Sequence, residues 1–218
     1  MENLDFSTWL NYGFEMPEAT TQPRVTVVPA NEASWGDLQA VFGTRGDPSR
    51  CWCQRFKMAP GESWASVGAS GLAGRLREQT HCGAAESPST TGLVAYLDGE
   101  PAGWCAVEPR PAYPRMLRNN RVPWDGRSED KYDDSVWAVT CFVVRKGYRR
   151  RGVGTKLAYA AVDFARGRGA RALEAYPMTT KESLVGELSV GTHGMFTAAG
   201  FTEVGRPSLR RAVMRVDF

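Results

Sequence analysis

The stretch VWAVTCFVVRKGYRRRGVGTKLAYAAVDFARGRG, residues 136–169, decides how the rest of the chain is read. Its first nine residues, 136–144, are almost continuously apolar and rich in β-branched and aromatic side chains, as expected of a strand covered on both faces. Further on, Leu157, Ala158, Ala161, Val162 and Ala165 fall on one helical stripe, and Gly167 and Gly169 end that helix. Strand and helix are joined by Tyr148-Arg149-Arg150-Arg151-Gly152-Val153-Gly154-Thr155. A helix N-terminus presents unpaired N–H groups and about half a positive charge, so an anion is favoured there. Glycines at 152 and 154 let the backbone close around a phosphate with no Cβ in the way. Arg145, Lys146, Arg149, Arg150 and Arg151 crowd the same turn, where a phosphate-bearing ligand would sit.

Two nucleotide-binding patterns are excluded. No G-x-G-x-x-G with a later ribose-binding acid occurs, and no G-x-x-x-x-G-K-[ST]. Outward from the turn, residues 172–176 read as the next strand, about 190–199 as a helix, and 201–204 and 211–216 as two last strands. Upstream, LVAYLDGEPAGWCAV is a hairpin turning at Asp98-Gly99. Residues 24–28 are a β-branched run, Asn31 is placed to cap a helix through about Phe42, and residues 62–80 form another helix weakened by three glycines. GTRGDPSRCWCQRFKMAPG reads as irregular. Residues 108–135 make a long connection without periodicity, and connections of that length are often functional.

What remains at the turn is R-x-x-G-x-G directly after an apolar strand, and this resembles motif A of the GNAT superfamily of N-acetyltransferases. HGMFTAAGFTEVG is similar to the family's helix and GF segment, and the hairpin to its second and third strands, so the resemblance spans about residues 24–216. It implies an α/β fold: a mixed twisted sheet with helices on both faces, a single domain over residues 24–218 preceded by a short extension, residues 1–23. It implies acetyl-CoA as acyl donor, with Phe142, Val143 and Val144 offering backbone groups to the pantetheine arm. Arg149, Arg150, Arg151, Gly152, Val153, Gly154 and Thr155 would hold the pyrophosphate, and Lys156 or a nearby arginine the ribose phosphate. The implied reaction is direct transfer of acetyl to a primary amine in a ternary complex. The alternative is a non-catalytic acyl-CoA-binding or regulatory module.

The family's pattern breaks where many members carry a tyrosine that protonates the leaving thiolate: here stands Phe196, and the usual asparagine seven residues earlier is Ser189. A CoA-type thiol, pKa about 8.5, leaves adequately without an acid, whereas an amine of pKa about 10 needs a base or a water chain. His193 and Tyr176 are the replacement candidates for the acid, Glu108 and Glu174 for the base; surface, capping or core roles compete for each. Trp52 and Gln54 fall where the family forms its acceptor pocket. Arg110, Arg115, Arg118 and Arg121 suit an acidic acceptor, or simply a solvated loop balanced by nearby acids.

Composition sets the remaining bounds. The 218 residues are 42% hydrophobic and 23% charged, and 27 basic against 24 acidic side chains are too even for nucleic-acid binding on charge alone. Cys51, Cys53 and Cys82 with His81 have spacing too tight for a zinc knuckle, so no metal is expected. An odd count of five cysteines is no secreted disulfide framework, no basic signal segment opens the chain, and no apolar run approaches the ~20 residues of a membrane span. A cytoplasmic enzyme acting on a small amine is expected, with no membrane or nucleic-acid partner. Phe6, Trp9, Leu10, Tyr12 and Phe14 suggest that the extension docks on its own domain or on a second subunit, which leaves a homodimer open.

Overall fold

A computed structural model of the chain describes residues 24–118, 124, 126–179 and 187–218. The extension 1–23 and Arg121 therefore lie outside the described residues. Seven strands form one sheet: β1 (Val25–Pro29), β2 (Gly92–Leu97), β3 (Glu100–Pro109), β4 (Val136–Val144), β5 (Ala172–Ala175), β6 (Thr202–Ser208) and β7 (Arg211–Asp217). Their order is β1-β2-β3-β4-β5-β7-β6, antiparallel throughout except for the parallel pair β4–β5. The mixed sheet with helices on both faces is borne out.

Alternation along the strands sorts side chains between two cores. Helix α5 (Val153–Gly167) lays Leu157, Ala158, Ala161, Val162 and Ala165, the predicted stripe, against Leu93, Cys105, Val107, Val139 and Phe142. The opposite face packs Val94, Trp104, Ala106 and Val143 under helices α1 (Trp35–Phe42) and α3 (Trp64–Thr80). The hairpin closes as expected, with Asp98 at φ 52° and Gly99 at φ 85°, the doubly positive turn that matches strand twist.

Several boundaries differ from the sequence reading, each for a local reason. Ser34, not Asn31, caps α1: its hydroxyl accepts from Asp37 N while the Asp37 carboxylate accepts from Ser34 N. Asn31 is buried and its amide is spent on a distant loop, reaching the carbonyls of Ala85 at 2.9 Å and Ser87 at 3.3 Å. Short helices α2 (Asp47–Cys51) and α4 (Pro114–Arg118) sit inside stretches read as irregular. The helix read over about 190–199 is shorter, α6 (His193–Ala198), because Gly191 at φ 85° breaks it from a 3-10 turn, Glu187–Val190. A Cβ on Gly191 would stand 2.6 Å from both Met195 and Phe196.

The long connection is held down by buried charge. Glu174 of β5 and Arg110 have no exposed side-chain surface, and Arg110 Nη1 lies 3.4 Å from Glu174 Oε2. Arg215 of β7 donates to Glu174 at 3.0 Å and to Glu129 at 3.1 Å, and Arg127 also pairs with Glu174. Buried ions persist only when paired this fully, and removing one partner of such a set costs about 3–5 kcal/mol.

Candidate active site

Strand β4 is paired with β3 along nearly its whole length, with a bulge at Thr140, but with β5 only over residues 136–139. Beyond the last pair, Val139 with Ala175, the two parallel strands part, and residues 140–144 have no β5 partner. Phe142, Val143 and Val144 occupy this free half; Phe142 faces the α5 core and Val143 the opposite one. The chain then turns through a 3-10 segment, Lys146–Tyr148, into the glycine turn. Arg149 Nε donates to Val144 O at 3.1 Å, tying the turn back to the strand end.

Arg150 sits at φ 59° and Gly152 at φ 80°, both left-handed, and Gly152 is the N-cap of α5. No side chain caps that helix, and its first intrahelical bond is Lys156 N to Gly152 O at 3.0 Å. The N–H groups of Val153, Gly154 and Thr155 therefore have no carbonyl one turn earlier to bond. Fifteen residues of α5 align their peptide dipoles on this point. Gly154 leaves room for α6: a Cβ there would stand 3.2 Å from Met195 Sδ, tight enough that the methionine would have to shift by a few tenths of an ångström. Of the nearby cations, Arg145 and Arg151 flank the Tyr148 ring at 4.8 and 6.0 Å, while Lys146, Arg150 and Lys156 are exposed. Free backbone donors, left-handed turn and flanking cations together make an anion cradle beside a strand edge with unpaired groups.

The catalytic candidates are scattered. Phe196 is fully buried, edge-on to Phe142 at 5.7 Å and to Phe201 at 5.1 Å, so the position of the family's tyrosine is core here. His193 is 40% exposed; its Nε2 lies 3.2 Å from Glu203 of β6 and its Nδ1 3.3 Å from Thr197 Oγ1. None of these partners belongs to β4 or the turn. Tyr176 is buried and donates to Glu174 at 2.9 Å; burial and the Glu174 charge push its pKa well above the ordinary phenol value. Tyr176 and Glu174 thus belong to the ion cluster under the long connection.

Glu108, at the end of β3 opposite Ala138, lies in a polar cluster on the face away from α5. Its carboxylate meets Lys57 Nζ and Thr91 Oγ1, and Lys57 Nζ also donates to Thr91 at 2.7 Å and to Gln79 at 3.2 Å. Burial pushes the Glu108 carboxyl up, more than Lys57 pulls it back. Gln54, 1% exposed, bonds Gln79 at 2.9 Å and is closed off from solvent. Trp52, stacked between Trp35 and Phe42, borders a shallow cavity of about 380 Å³ between α2 and α3, separate from the one that Arg115 and Arg118 line. Among the described residues no group of three or more His, Cys, Asp or Glu is arranged to hold a metal ion. Arg115 and Arg118 of α4 line an open cavity together with Arg55, which no sequence motif marked out.

The acetyltransferase (GNAT) family model matches residues 61–184, more than half of the 218. No curated protein matches the chain. Among solved structures it is similar to an acetyltransferase of the GNAT family from Streptococcus pneumoniae, at 16% identity over 89% of this chain and 99% of that one, TM-score 0.48. An aminoglycoside acetyltransferase in complex with coenzyme A is 16% identical over 89% of this chain and 95% of that one, TM-score 0.49. An N-acetyltransferase from Thermoplasma acidophilum, also in complex with coenzyme A, is 12% identical over 89% and 99%, TM-score 0.46.

Proposed function

The chain belongs to the acetyltransferase (GNAT) family, and from that premise we propose that it moves acetyl from acetyl-CoA to a primary amine by direct attack in a ternary complex. The observation that carries this is the uncapped N-terminus of α5 behind a left-handed glycine turn, next to the half of β4 that has left β5. The N–H groups of Val153, Gly154 and Thr155 would hold the pyrophosphate, with Arg150, Arg149 or Arg151 adding charge. The backbone groups of Phe142, Val143 and Val144 that face away from β3, other than the Val144 carbonyl held by Arg149, would hold the pantetheine amides and polarise the thioester carbonyl. Bound there, acetyl-CoA supplies an activated acyl group.

Positioning does much of the work, since joining two bound reactants removes most of the entropic barrier to their encounter. Glu108 is the base we assign: a buried carboxylate with a raised pKa takes a proton from an ammonium more readily than an ordinary one. No acid is assigned, because a thiol of pKa about 8.5 departs as thiolate at neutral pH. His193 is instead read as a contact between α6 and β6, and Tyr176 as a donor that orients Glu174. All five cysteines are free, which fits work in the reducing cytoplasm.

A second reading, an acyl-CoA-binding module without turnover, is favoured by one observation, the fully buried Phe196 at the family's acid position. Thiol release from acetyl-CoA in the presence of amines separates the two: a binding module stabilises with donor and releases nothing.

A further inference from the structure

A cavity of about 400 Å³ opens between the segment following α2 and helix α4. Its walls carry Arg55, Arg115 and Arg118, and its single carboxylate is Glu62. Glu62 is already engaged, accepting from Arg75 Nη1 and Nη2 at 3.0 and 2.7 Å and from Ala59 N at 2.9 Å. Those bonds, from Arg75 foremost, hold its carboxyl down to about 2. The three arginines of the wall have no carboxylate partner among the described residues: Arg115 reaches Met58 Sδ at 3.5 Å, Arg118 donates to Met58 O at 2.9 Å, and Arg55 lies over the Phe56 ring at 5.7 Å. The neighbouring arginines 110, 127 and 215, by contrast, are paired with Glu174.

The walls are joined by main-chain contact, Arg115 N to Phe56 O at 3.0 Å, and by the Arg118 bond to Met58 O, so the arginines are held around a formed space. Phe56 also packs on the cluster of Tyr113, Met116, Ala138, Tyr176 and Val213. Ala138 and Tyr176 each adjoin a residue of the last β4–β5 pair, Val139 with Ala175. The cavity therefore stands near the point where β4 and β5 part, on the sheet face opposite α5. Its volume suits a small molecule, and guanidinium groups match carboxylate and phosphate in geometry and charge.

We propose that this cavity binds the anionic group of the acceptor, so that the acceptor is a small amine that also carries a carboxylate or a phosphate. Its role in the reaction rests on the acetyl-transfer reading above; the anion site itself does not.

Two matched acceptor pairs test it, glycine against glycinamide and O-phosphoethanolamine against ethanolamine, with thiol release from acetyl-CoA as readout. In at least one pair the acidic member reacts with a kcat/KM about tenfold or more above its neutral partner, and the responding pair tells carboxylate from phosphate. Arg55→Ala with Arg115→Ala erases that preference by raising the acceptor KM about ten- to a hundredfold, as loss of hydrogen bonds to a charged group does. Acetyl-CoA affinity is unchanged, and the Arg55→Lys, Arg115→Lys chain keeps part of the preference. Equal rates within both pairs, or a preference that survives the Ala variant, overturn the proposal.

If none of these amines reacts, calorimetric binding of glutarate and of inorganic phosphate, with coenzyme A present, decides the site. Binding that the Ala variant loses sustains it; binding absent from the native chain, or unchanged in the variant, overturns it. Failure of the acetyl-transfer reading shows differently, as no thiol release with any amine, whether or not acetyl-CoA raises the melting temperature, while anion binding at the arginines persists.

Discussion

Replacing Gly152 with Asp separates the phosphate cradle from the fold that builds it. Gly152 has φ 80° and ψ −6°, and a Cβ built there meets no atom within 4 Å. The penalty for the fold is therefore conformational rather than steric, about 1 kcal/mol for an L-residue in the left-handed region. The new carboxylate gains nothing as a helix cap, because capping needs the extended backbone that this position does not adopt. In a chain of 218 residues a loss of about 1 kcal/mol lowers the melting temperature by roughly 2–4 °C. Donor binding should suffer far more. At a hundred times its Kd, a ligand adds about 2.7 kcal/mol of stability, or roughly 5–11 °C on the same scale. A carboxylate about 4 Å from a phosphate charge opposes it by about 4 kcal/mol at the effective dielectric of a protein surface, more than the whole gain. Differential scanning fluorimetry with rising acetyl-CoA should show a clear shift for the native chain, a smaller one for Gly152→Ala, which adds the Cβ and the backbone strain without the charge, and none for Gly152→Asp. A native-sized shift in the Asp chain would mean that the phosphates bind elsewhere and would refute the reasoning.

Glu108→Gln should cut kcat about a hundredfold and abolish the acidic limb of the rate profile; that limb, where a base fails as it gains its proton, should lie above the ordinary carboxylate value of 4.5, since burial raises Glu108. Unchanged kcat would remove Glu108 from the mechanism. Burial alone would raise Glu129, but hydrogen bonds from Arg215 and Arg127 override it and hold the carboxyl at about 2. Its stabilisation is present above pH 4.5 and is lost as pH falls toward 2, so Glu129→Gln should flatten the fall in melting temperature across that window; an equally steep fall would deny the ion cluster its part. His193→Phe should keep native turnover and pH dependence; a slowed enzyme that has lost a basic limb would restore the histidine as acid.

The central strand, turn and helix were legible because each is local: an apolar nonapeptide, glycines at 152 and 154, and a five-residue stripe that buries as predicted. What escaped depends on contacts between distant residues. Asn31 has a good capping side chain, yet carbonyls more than fifty positions away claim it and Ser34 caps instead. Arg110 read as a loop cation and Glu174 as a candidate base, but chain folding buries them together at 3.4 Å, a pairing no spacing rule encodes. The same holds at the acceptor side, where Arg115 and Arg118 were singled out by sequence while Arg55, sixty positions before Arg115, joins them only through the packing of Phe56. Trp52 and Gln54 were expected near substrate because of their place between two helices; their stacking and hydrogen bonds put them inside the core.

The measurement that bears most directly on the account is thiol release from acetyl-CoA by the purified full chain across a panel of primary amines, neutral and acidic, with donor binding followed by melting temperature in the same samples. The account predicts that the donor raises the melting temperature and that at least one amine drives stoichiometric release of thiol and formation of the acetylated amine. A chain stabilised by acetyl-CoA that releases no thiol with any amine would contradict it and leave the binding module, and a chain that acetyl-CoA does not stabilise at all would contradict the phosphate cradle itself.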